Sequence, residues 1–136
     1  KNYIIEKDFW KINASHDGYL KKYNLIHDRE IEFYPELMIF KGLDKIIKKR
    51  TKRNYKFDIR FHVEPNVKLM KTQDNKTILI EIHDEGWKFT CDNYEISIDN
   101  GLYFGNKNLY SENQNIFITG ISNNQVENIK WQIEKI

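Results

Sequence analysis

The clearest pattern in the chain runs over residues 57–89, FDIRFHVEPNVKLMKTQDNKTILIEIHDEGWKF. Apolar and polar residues alternate over positions 57–63, which is the period-two pattern of a half-buried strand. Pro65 ends that strand, alternation resumes over positions 78–82, and Gly86 is expected to break the chain before the next strand. The segment therefore predicts an antiparallel meander with one apolar face. Because the sequence contains no amphipathic helix of useful length, we expect a second sheet to cover that face.

Strands are also predicted on both sides of this segment. They comprise strand-like residues at 3–5, alternating strands at 9–19 (closed by Gly18) and 25–33, a short strand at 37–40 ended by Gly42, a hairpin turn at Asp99-Asn100-Gly101 after the strand at 94–99, a loop over 105–114, and final strands at 116–119 and 129–133. About ten short strands result, which is enough for two packed sheets. The predicted fold class is all-β, an antiparallel β-sandwich that forms a single domain over residues 1–136.

Length and composition agree with one β-rich globular domain of 136 residues. The formal net charge of +2 is too small to indicate a nucleic-acid binder. The single cysteine, Cys91, has no partner for an internal disulfide and is interpreted as a packing residue. No apolar run approaches the length of a membrane span, and a chain that opens at Lys1 without a methionine reads as cut from something longer.

One local concentration of positive charge lies at residues 44–56, DKIIKKRTKRNYK, which contains seven Lys and Arg residues. Two interpretations are open: a site for an anionic ligand, or a solvated loop between strands that also steers an acidic polymer at long range. We favour the loop because only Tyr55 offers a surface for stacking.

Three of the four histidines precede an aspartate, in the pairs His16-Asp17, His27-Asp28 and His83-Asp84. Neighbouring residues of a strand point to opposite faces, so such a pair is poorly placed to chelate one ion. The sequence also lacks the His-x-His and His-x-x-x-His spacings of common metal sites. We therefore predict no metal site within this chain.

Two pairs of basic residues share a strand face, Arg60 with His62 and His27 with Arg29. A guanidinium and an imidazole so placed could jointly hold a carboxylate, whereas the alternative is a solvated outer face. Tyr19 could act as a phenolic acid or base, but a tyrosine after glycine at a strand end is more typical of packing.

Several of these residues belong to segments that resemble heparinase II/III-like proteins. The segments ASHDGY at 14–19, LIHDR at 25–29 and KGLD at 41–44 are similar to that family's SHDGY, H-x-R and G-x-D elements. The segment RFHVEP at 60–65 is similar to its RFH-x-x-P element. The resemblance extends from about Trp10 to the carboxyl end, and the order and spacing of the segments carry it.

This resemblance implies the C-terminal β-sandwich of a larger polysaccharide lyase whose α-helical toroid lies upstream. Such lyases cleave uronate-containing acidic glycans, including glycosaminoglycans, by β-elimination. The family's catalytic Asn, Tyr and His, and the zinc that it often holds, belong to regions before Lys1, so no catalytic or metal-ligand residue is assigned here and zinc is expected only in the longer protein. The positions assigned to lining or supporting a substrate cleft are His16, Asp17, Tyr19, His27, Arg29, Arg60 and His62.

The expected function is therefore a scaffold or cleft wall for an acidic polysaccharide, inactive without the toroid and located in the periplasm or cell envelope. No nucleic acid or membrane span is expected among its partners. Two alternatives remain open. The chain could be an independent, non-catalytic carbohydrate-binding module, or an interaction domain that pairs its edge strands with a partner.

Overall fold

A computed structural model describes residues 1–106 and 109–136, and over these residues it contains eleven strands and one short helix. In chain order the elements are β1 (Asn2–Ile5), β2 (Trp10–His16), α1 (Leu20–Tyr23), β3 (Leu25–Tyr34), β4 (Ile39–Lys48), β5 (Lys56–His62), β6 (Lys68–Lys71), β7 (Thr77–Ile82), β8 (Glu85–Cys91), β9 (Glu95–Asn106), β10 (Leu109–Ile121) and β11 (Val126–Lys135).

These strands form two antiparallel sheets. The larger sheet has eight strands in the order β1-β2-β3-β4-β11-β8-β7-β6, and the smaller has three in the order β5-β10-β9. Apolar residues from both sheets form one core, whose most buried members are Ile78, Phe89, Ile96, Ile116, Ile118 and Ile129. The predicted all-β sandwich, with a second sheet as the covering layer, is confirmed.

The meander predicted for residues 57–89 is wrong in its pairing. β5 belongs to the smaller sheet and pairs with β10, whereas β6, β7 and β8 belong to the larger sheet. The apolar rows therefore face each other across the core, where the rings of Phe61 and Phe89 lie 5.2 Å apart. Alternation shows which face of a strand is apolar, but it does not show which sheet the strand joins.

Gly42 lies inside β4 and does not end it, contrary to the prediction. It pairs with Ile31 on β3 and with Trp131 on β11. A Cβ atom at this position would lie 1.9 Å from Cε2 of Trp131, so the glycine leaves the space that the indole ring occupies. The strand then continues for six more residues, to Lys48.

The prediction of a solvated loop over residues 44–56 is wrong for its first five residues and for its last, Lys56, which begins β5. Residues 44–48 complete β4, and their inward-facing members Asp44 and Lys48 are buried. Lys48 donates a hydrogen bond of 2.9 Å from Nζ to Oδ1 of Asn54. The connection between the two sheets is therefore shorter than expected and runs from Lys49 to Tyr55.

Two turn predictions also fail for reasons of long-range pairing. Asp99-Asn100-Gly101 lies within β9, where Gly101 pairs with Asn113 of β10 and the absence of a Cβ leaves room for the Asn113 and Asn115 side chains. Much of the predicted loop at 105–114 is strand, and its residues 107 and 108 lie outside the described residues.

The break predicted at Gly86 lies instead at His83 and Asp84, which both have positive φ (47° and 65°) and connect β7 to β8. Gly86 itself pairs with Glu81 inside the β7–β8 ladder. The two residues of this turn adopt the left-handed conformation without a glycine, and His and Asp are among the residue types that tolerate it best.

Candidate functional site

A buried carboxylate, Asp44 on β4, lies at the centre of a polar cluster inside the sandwich. The Asp44 side chain has no exposed surface, and its backbone pairs with Arg29 of β3 on one side and Ile129 of β11 on the other. Oδ1 accepts hydrogen bonds from Arg29 Nε at 2.7 Å and lies 2.6 Å from His27 Nε2. Oδ2 accepts from Trp131 Nε1 at 2.7 Å and from Arg29 Nη2 at 3.2 Å. Both oxygens of the carboxylate are thus fully engaged.

The strand registers explain why these four side chains meet. His27 and Arg29 are two residues apart on β3, so they share its inner face, and β4 places Asp44 directly beside Arg29. Trp131 lies two residues beyond Ile129 on β11 and reaches back over Gly42 to donate its indole N–H. We refer to His27, Arg29, Asp44 and Trp131 as the Asp44 cluster.

Asp44 remains ionised despite its burial. Burial alone would raise the pKa of this carboxyl, but the hydrogen bonds from His27 and Arg29, the positive charge of Arg29 and the Trp131 N–H together lower the pKa below its ordinary value of 3.8. A buried charge is tolerated when it is paired and its remaining hydrogen-bonding capacity is satisfied, and the Asp44 cluster meets both conditions.

Arg29 also connects the two sheets. Its guanidinium carbon lies 5.1 Å from the centroid of the Phe61 ring on β5 and 6.0 Å from that of Trp131. The rings of Phe61 and Trp131 are themselves 4.8 Å apart in an edge-to-face arrangement. The cluster therefore packs against the opposite sheet and fixes the separation of the two layers at this point.

A groove of ≈ 570 Å³ opens beside the Asp44 cluster, between β3 and β5, which is an edge strand of the smaller sheet. His27 and Arg29 keep 28% and 32% of their side-chain surface exposed, and both line the groove. Three tyrosines contribute to its walls, which are Tyr19, Tyr23 and Tyr55. The groove thus presents phenol rings and the solvent-facing parts of two basic side chains on one surface.

The tyrosines are positioned by the two connections at this end of the sandwich. Asn24 ends α1 with a left-handed φ of 55°, and its carbonyl accepts a 2.9 Å hydrogen bond from the Lys49 N–H. Tyr55 donates its N–H to Ser122 Oγ at 2.9 Å and accepts the Ser122 N–H at 2.8 Å. The Tyr23 and Tyr55 rings then meet edge to face, with centroids 5.4 Å apart.

Four of the seven residues assigned to the site from sequence line this groove, namely Tyr19, His27, Arg29 and Arg60. His16 contacts one of them, since its ring centroid lies 5.5 Å from that of Tyr19. Asp17 and His62 are exposed and are not among the groove's lining residues. The structure thus brings together most of the assigned positions, while their contact with a substrate stays a prediction.

Arg60 points to the outer face of the smaller sheet. Its Nη1 lies 2.5 Å from Oδ2 of Asp99, its Nη2 lies 3.7 Å from Asp58, and its guanidinium carbon lies 5.0 Å from the Phe117 ring centroid. His62 follows on the same face, next to Asn115 in register. The hydrogen bond with Asp99 and the charge of that residue raise the pKa of Arg60, so this guanidinium is already paired.

Sequence reasoning did not assign Asp44, Trp131, Tyr23 or Tyr55 to the site. Asp44 ends the KGLD segment that carried the family resemblance, and it could have been selected as a carboxylate for His27 and Arg29 to hold. No sequence motif indicates the hydrogen bond from the Trp131 N–H, because Trp131 lies 87 residues along the chain from its acceptor, Asp44.

Within residues 1–106 and 109–136, no group of three or more His, Cys, Asp or Glu side chains could hold a metal ion. The side chains of this part of the chain therefore do not fit zinc on their own. Burial raises the pKa of the Cys91 thiol to about 12, which leaves it protonated and poorly nucleophilic. No helix among the described residues is long and apolar enough to cross a membrane.

Comparison with known proteins places this chain in a family. The family described as "Heparinase II/III-like, C-terminal" matches residues 4–132. The chain belongs to the heparinase II/III-like C-terminal family. None of the curated proteins compared with it gives a significant match.

Solved structures share the fold of this heparinase II/III-like chain. A heparan sulfate lyase, HepC from Pedobacter heparinus, has a TM-score of 0.82 at 11% identity over 98% of this chain. The heparinase III BT4657 gene product has a TM-score of 0.79 at 13% identity over 100% of it. The match covers 21% of each of those two proteins, so this chain spans about a fifth of their length.

Proposed function

We propose that this domain forms one wall of the substrate cleft in a longer lyase that cleaves uronate-containing acidic polysaccharides by β-elimination. The domain binds glycan and positions the sandwich against an upstream helical toroid, and it has no catalytic residue of its own. Membership of the heparinase II/III-like C-terminal family supports this proposal. The single observation that carries it is the groove that collects Tyr19, His27 and Arg29 on one surface, with Arg60 of the edge strand β5 at its border.

The charges of the groove support a wall rather than a complete active site. β-Elimination needs a group that neutralises the uronate carboxylate and a base that removes a proton. Arg29 and His27 are both engaged by Asp44, and Arg60 is engaged by Asp99, so none of the three is a free positive charge. These side chains can donate hydrogen bonds to a sugar, while charge neutralisation and proton abstraction come from elsewhere in the longer protein.

An independent carbohydrate-binding module is the second candidate. The observation that favours it is the set of three tyrosines along the groove, because sugar rings pack on exposed aromatic faces. Such a module binds glycan by itself and gains nothing from a toroid. Affinity that is the same for this chain and for the longer protein, without elimination by either, is its expected signature.

The cellular location and the metal follow from the family resemblance alone. We place the longer protein in the periplasm or cell envelope, and we assign any zinc to its upstream part. Cell fractionation with an antibody to this domain tests the location. Metal analysis of the purified longer protein, with this chain as the control, tests the zinc.

The test of function is the ultraviolet absorbance of the unsaturated uronate that β-elimination produces. This chain and the longer protein are each incubated with heparan sulfate and with other uronate glycans. We expect product from the longer protein only. Product from this chain alone would contradict the proposal and would direct mutagenesis to His16, Tyr19 and His62, whereas no product from either would favour the binding module.

A further inference from the structure

A cluster of exposed positive charge adjoins the groove, on the connection between the two sheets. Residues 49–56, which we call the basic segment, run from the end of β4 into β5 and contribute Tyr55 and Lys56 to the groove wall. The five cations of the basic segment are all exposed, and they are Lys49, Arg50, Lys52, Arg53 and Lys56.

The pairing of these cations differs from that of the groove's own arginines. Arg29 and Arg60 each lie within ion-pair distance of an aspartate. Among residues 1–106 and 109–136, no ion pair includes any cation of the basic segment. The basic segment therefore carries five exposed positive charges outside any ion pair of the described residues, while the groove supplies rings and hydrogen-bond donors.

Hydrogen bonds fix the backbone of the basic segment at both ends, so its cations lie in a defined position beside the groove. The Lys49 N–H donates to the Asn24 carbonyl, and the buried Lys48 ammonium donates to Asn54. Tyr55 donates its N–H to Ser122 Oγ and accepts the Ser122 N–H at its carbonyl. Within the segment, the Arg53 N–H donates to Thr51 Oγ1 at 3.1 Å. A segment ordered before it binds loses less conformational freedom on binding.

From this arrangement we propose that the basic segment is a second contact site for an acidic glycan, adjacent to but distinct from the groove. A sugar ring packs against Tyr23 and Tyr55 at the mouth of the groove, and the anionic groups of the following residues bind the free cations of the segment. The anionic group is a sulfate or a carboxylate, since both accept the same charge-assisted hydrogen bonds. The identity of the polymer rests on the proposed function, whereas the site rests on the geometry.

The test is direct binding of oligosaccharides to this chain, measured by calorimetry at several salt concentrations. A heparin oligosaccharide supplies sulfates and carboxylates, and a hyaluronan oligosaccharide of equal length supplies carboxylates alone. The test variant is K49A/R50A/K52A/R53A. The matched control, K1A/K7A/K76A/K130A, removes the same charge from exposed lysines elsewhere. Thermal unfolding verifies that both variants remain folded.

We expect the test variant to lose about tenfold or more in affinity and to show a weaker salt dependence, because the ionic contacts are gone. The control is expected to change affinity by less than about threefold, since it alters only the net charge. Loss for heparin alone identifies sulfate as the bound group, and loss for both sugars identifies the carboxylate. Equal losses in test and control variants would overturn the proposal, as would equally tight, equally segment-dependent binding of a single-stranded oligonucleotide.

The failure of this inference is distinguishable from failure of the proposed function. If the longer protein forms unsaturated product but the test variant binds glycan as tightly as the unaltered chain, the contact site is wrong and the lyase function stands. If segment-dependent glycan binding persists but the longer protein forms no product, the lyase function is wrong and the contact site stands.

Discussion

Two basic pairs with the same spacing lie on facing sheets, and they have opposite surroundings. His27 and Arg29 on β3 face the core and meet a carboxylate that is completely buried. Arg60 and His62 on β5 face outward, and Arg60 meets Asp99, whose side chain is 35% exposed. A His and an Arg two residues apart therefore specify a shared face but not whether that face is the inside or the outside.

The two carboxylates are satisfied to different degrees. Both oxygens of Asp44 accept hydrogen bonds from Arg29 or Trp131, and Oδ1 also contacts His27. On Asp99, Oδ2 binds Arg60, while Oδ1 is buried without a protein partner. Removing one partner of a buried, fully bonded pair leaves an uncompensated charge, whereas water replaces a partner on an exposed face. The inner pair should therefore determine stability and the outer pair should not.

The largest expected effect comes from Arg29→Ala. This change leaves the buried carboxylate of Asp44 with His27 and Trp131 only, and it also removes the contact with Phe61. We expect a loss of about 3–5 kcal/mol in the free energy of unfolding by urea at neutral pH. The matched change Arg60→Ala is the control, and an equal loss there would show that burial does not separate the two pairs.

Gly42→Ala tests the close approach that allows Trp131 to reach Asp44. The added Cβ would lie 1.9 Å from the indole ring, so the ring or the backbone must shift. A loss of about 1–3 kcal/mol in unfolding free energy is expected from this overpacking. Gly86→Ala is the control, because its Cβ would meet nothing nearer than 3.9 Å, and it should leave stability unchanged or slightly raised. The reverse ranking of the two variants would contradict the account.

Trp131→Phe removes the indole N–H while keeping an aromatic ring over Gly42. One hydrogen bond to Asp44 Oδ2 is lost, but Arg29 Nη2 still donates to the same oxygen. The lost hydrogen bond should cost about 1 kcal/mol in unfolding by urea, and the smaller phenyl ring adds the cost of the cavity that it leaves in the core. In the Asp44→Asn background the same change should cost less, and an unaltered cost would mean that the N–H contributes nothing to the cluster.

The pH dependence of unfolding gives a further test of the Asp44 cluster. Because folding lowers the pKa of Asp44 below 3.8, the unfolded chain binds this proton more readily. The stabilisation is fully present above pH 3.8 and is lost as the pH falls through the folded-state pKa. Asp44→Asn should flatten this part of the curve of unfolding free energy against pH. The pKa values of Asp74, Glu85 and Glu127 are also lowered, and the difference between the curves of the unaltered chain and the variant separates the contribution of Asp44 from theirs.

The smallest effect is expected for Arg60→Ala. Its partners Asp58 and Asp99 are partly exposed and can be solvated when the guanidinium is removed. The urea midpoint should stay within error of the unaltered chain. Glycan affinity should fall only if Arg60 contacts the sugar in the groove, so calorimetry on the same variant checks its assignment to the site.

Local pattern predicted much of the fold. The alternation in β3 correctly placed His27 and Arg29 on one face, and the apolar rows of β5 and β7 correctly predicted two layers. A sheet with an apolar face needs a second layer to cover it. The sandwich could therefore be predicted without knowing which strands pair.

What could not be predicted depends on contacts distant in sequence. Of the two alternatives left open for His27 and Arg29, a solvated outer face is wrong, and the carboxylate that they hold is Asp44, 17 and 15 residues further along the chain. Gly42 was predicted to end its strand. A side chain there would clash with the Trp131 ring, and this ring belongs to β11, far along the chain. The turn predicted at Asp99-Asn100-Gly101 is wrong for the same reason, because Gly101 pairs with Asn113 of β10 inside a continuous strand.

A pair of double-mutant cycles tests the central claim most directly. One cycle combines Arg29→Ala with Asp44→Ala, and the other combines Arg60→Ala with Asp99→Ala, with unfolding free energies measured by urea at neutral pH. We expect strong coupling between Arg29 and Asp44 and coupling near zero between Arg60 and Asp99. Similar coupling in both cycles, or a stronger coupling on the outer face, would contradict the conclusion that the inner His27–Arg29 pair is structural and the outer pair is solvated.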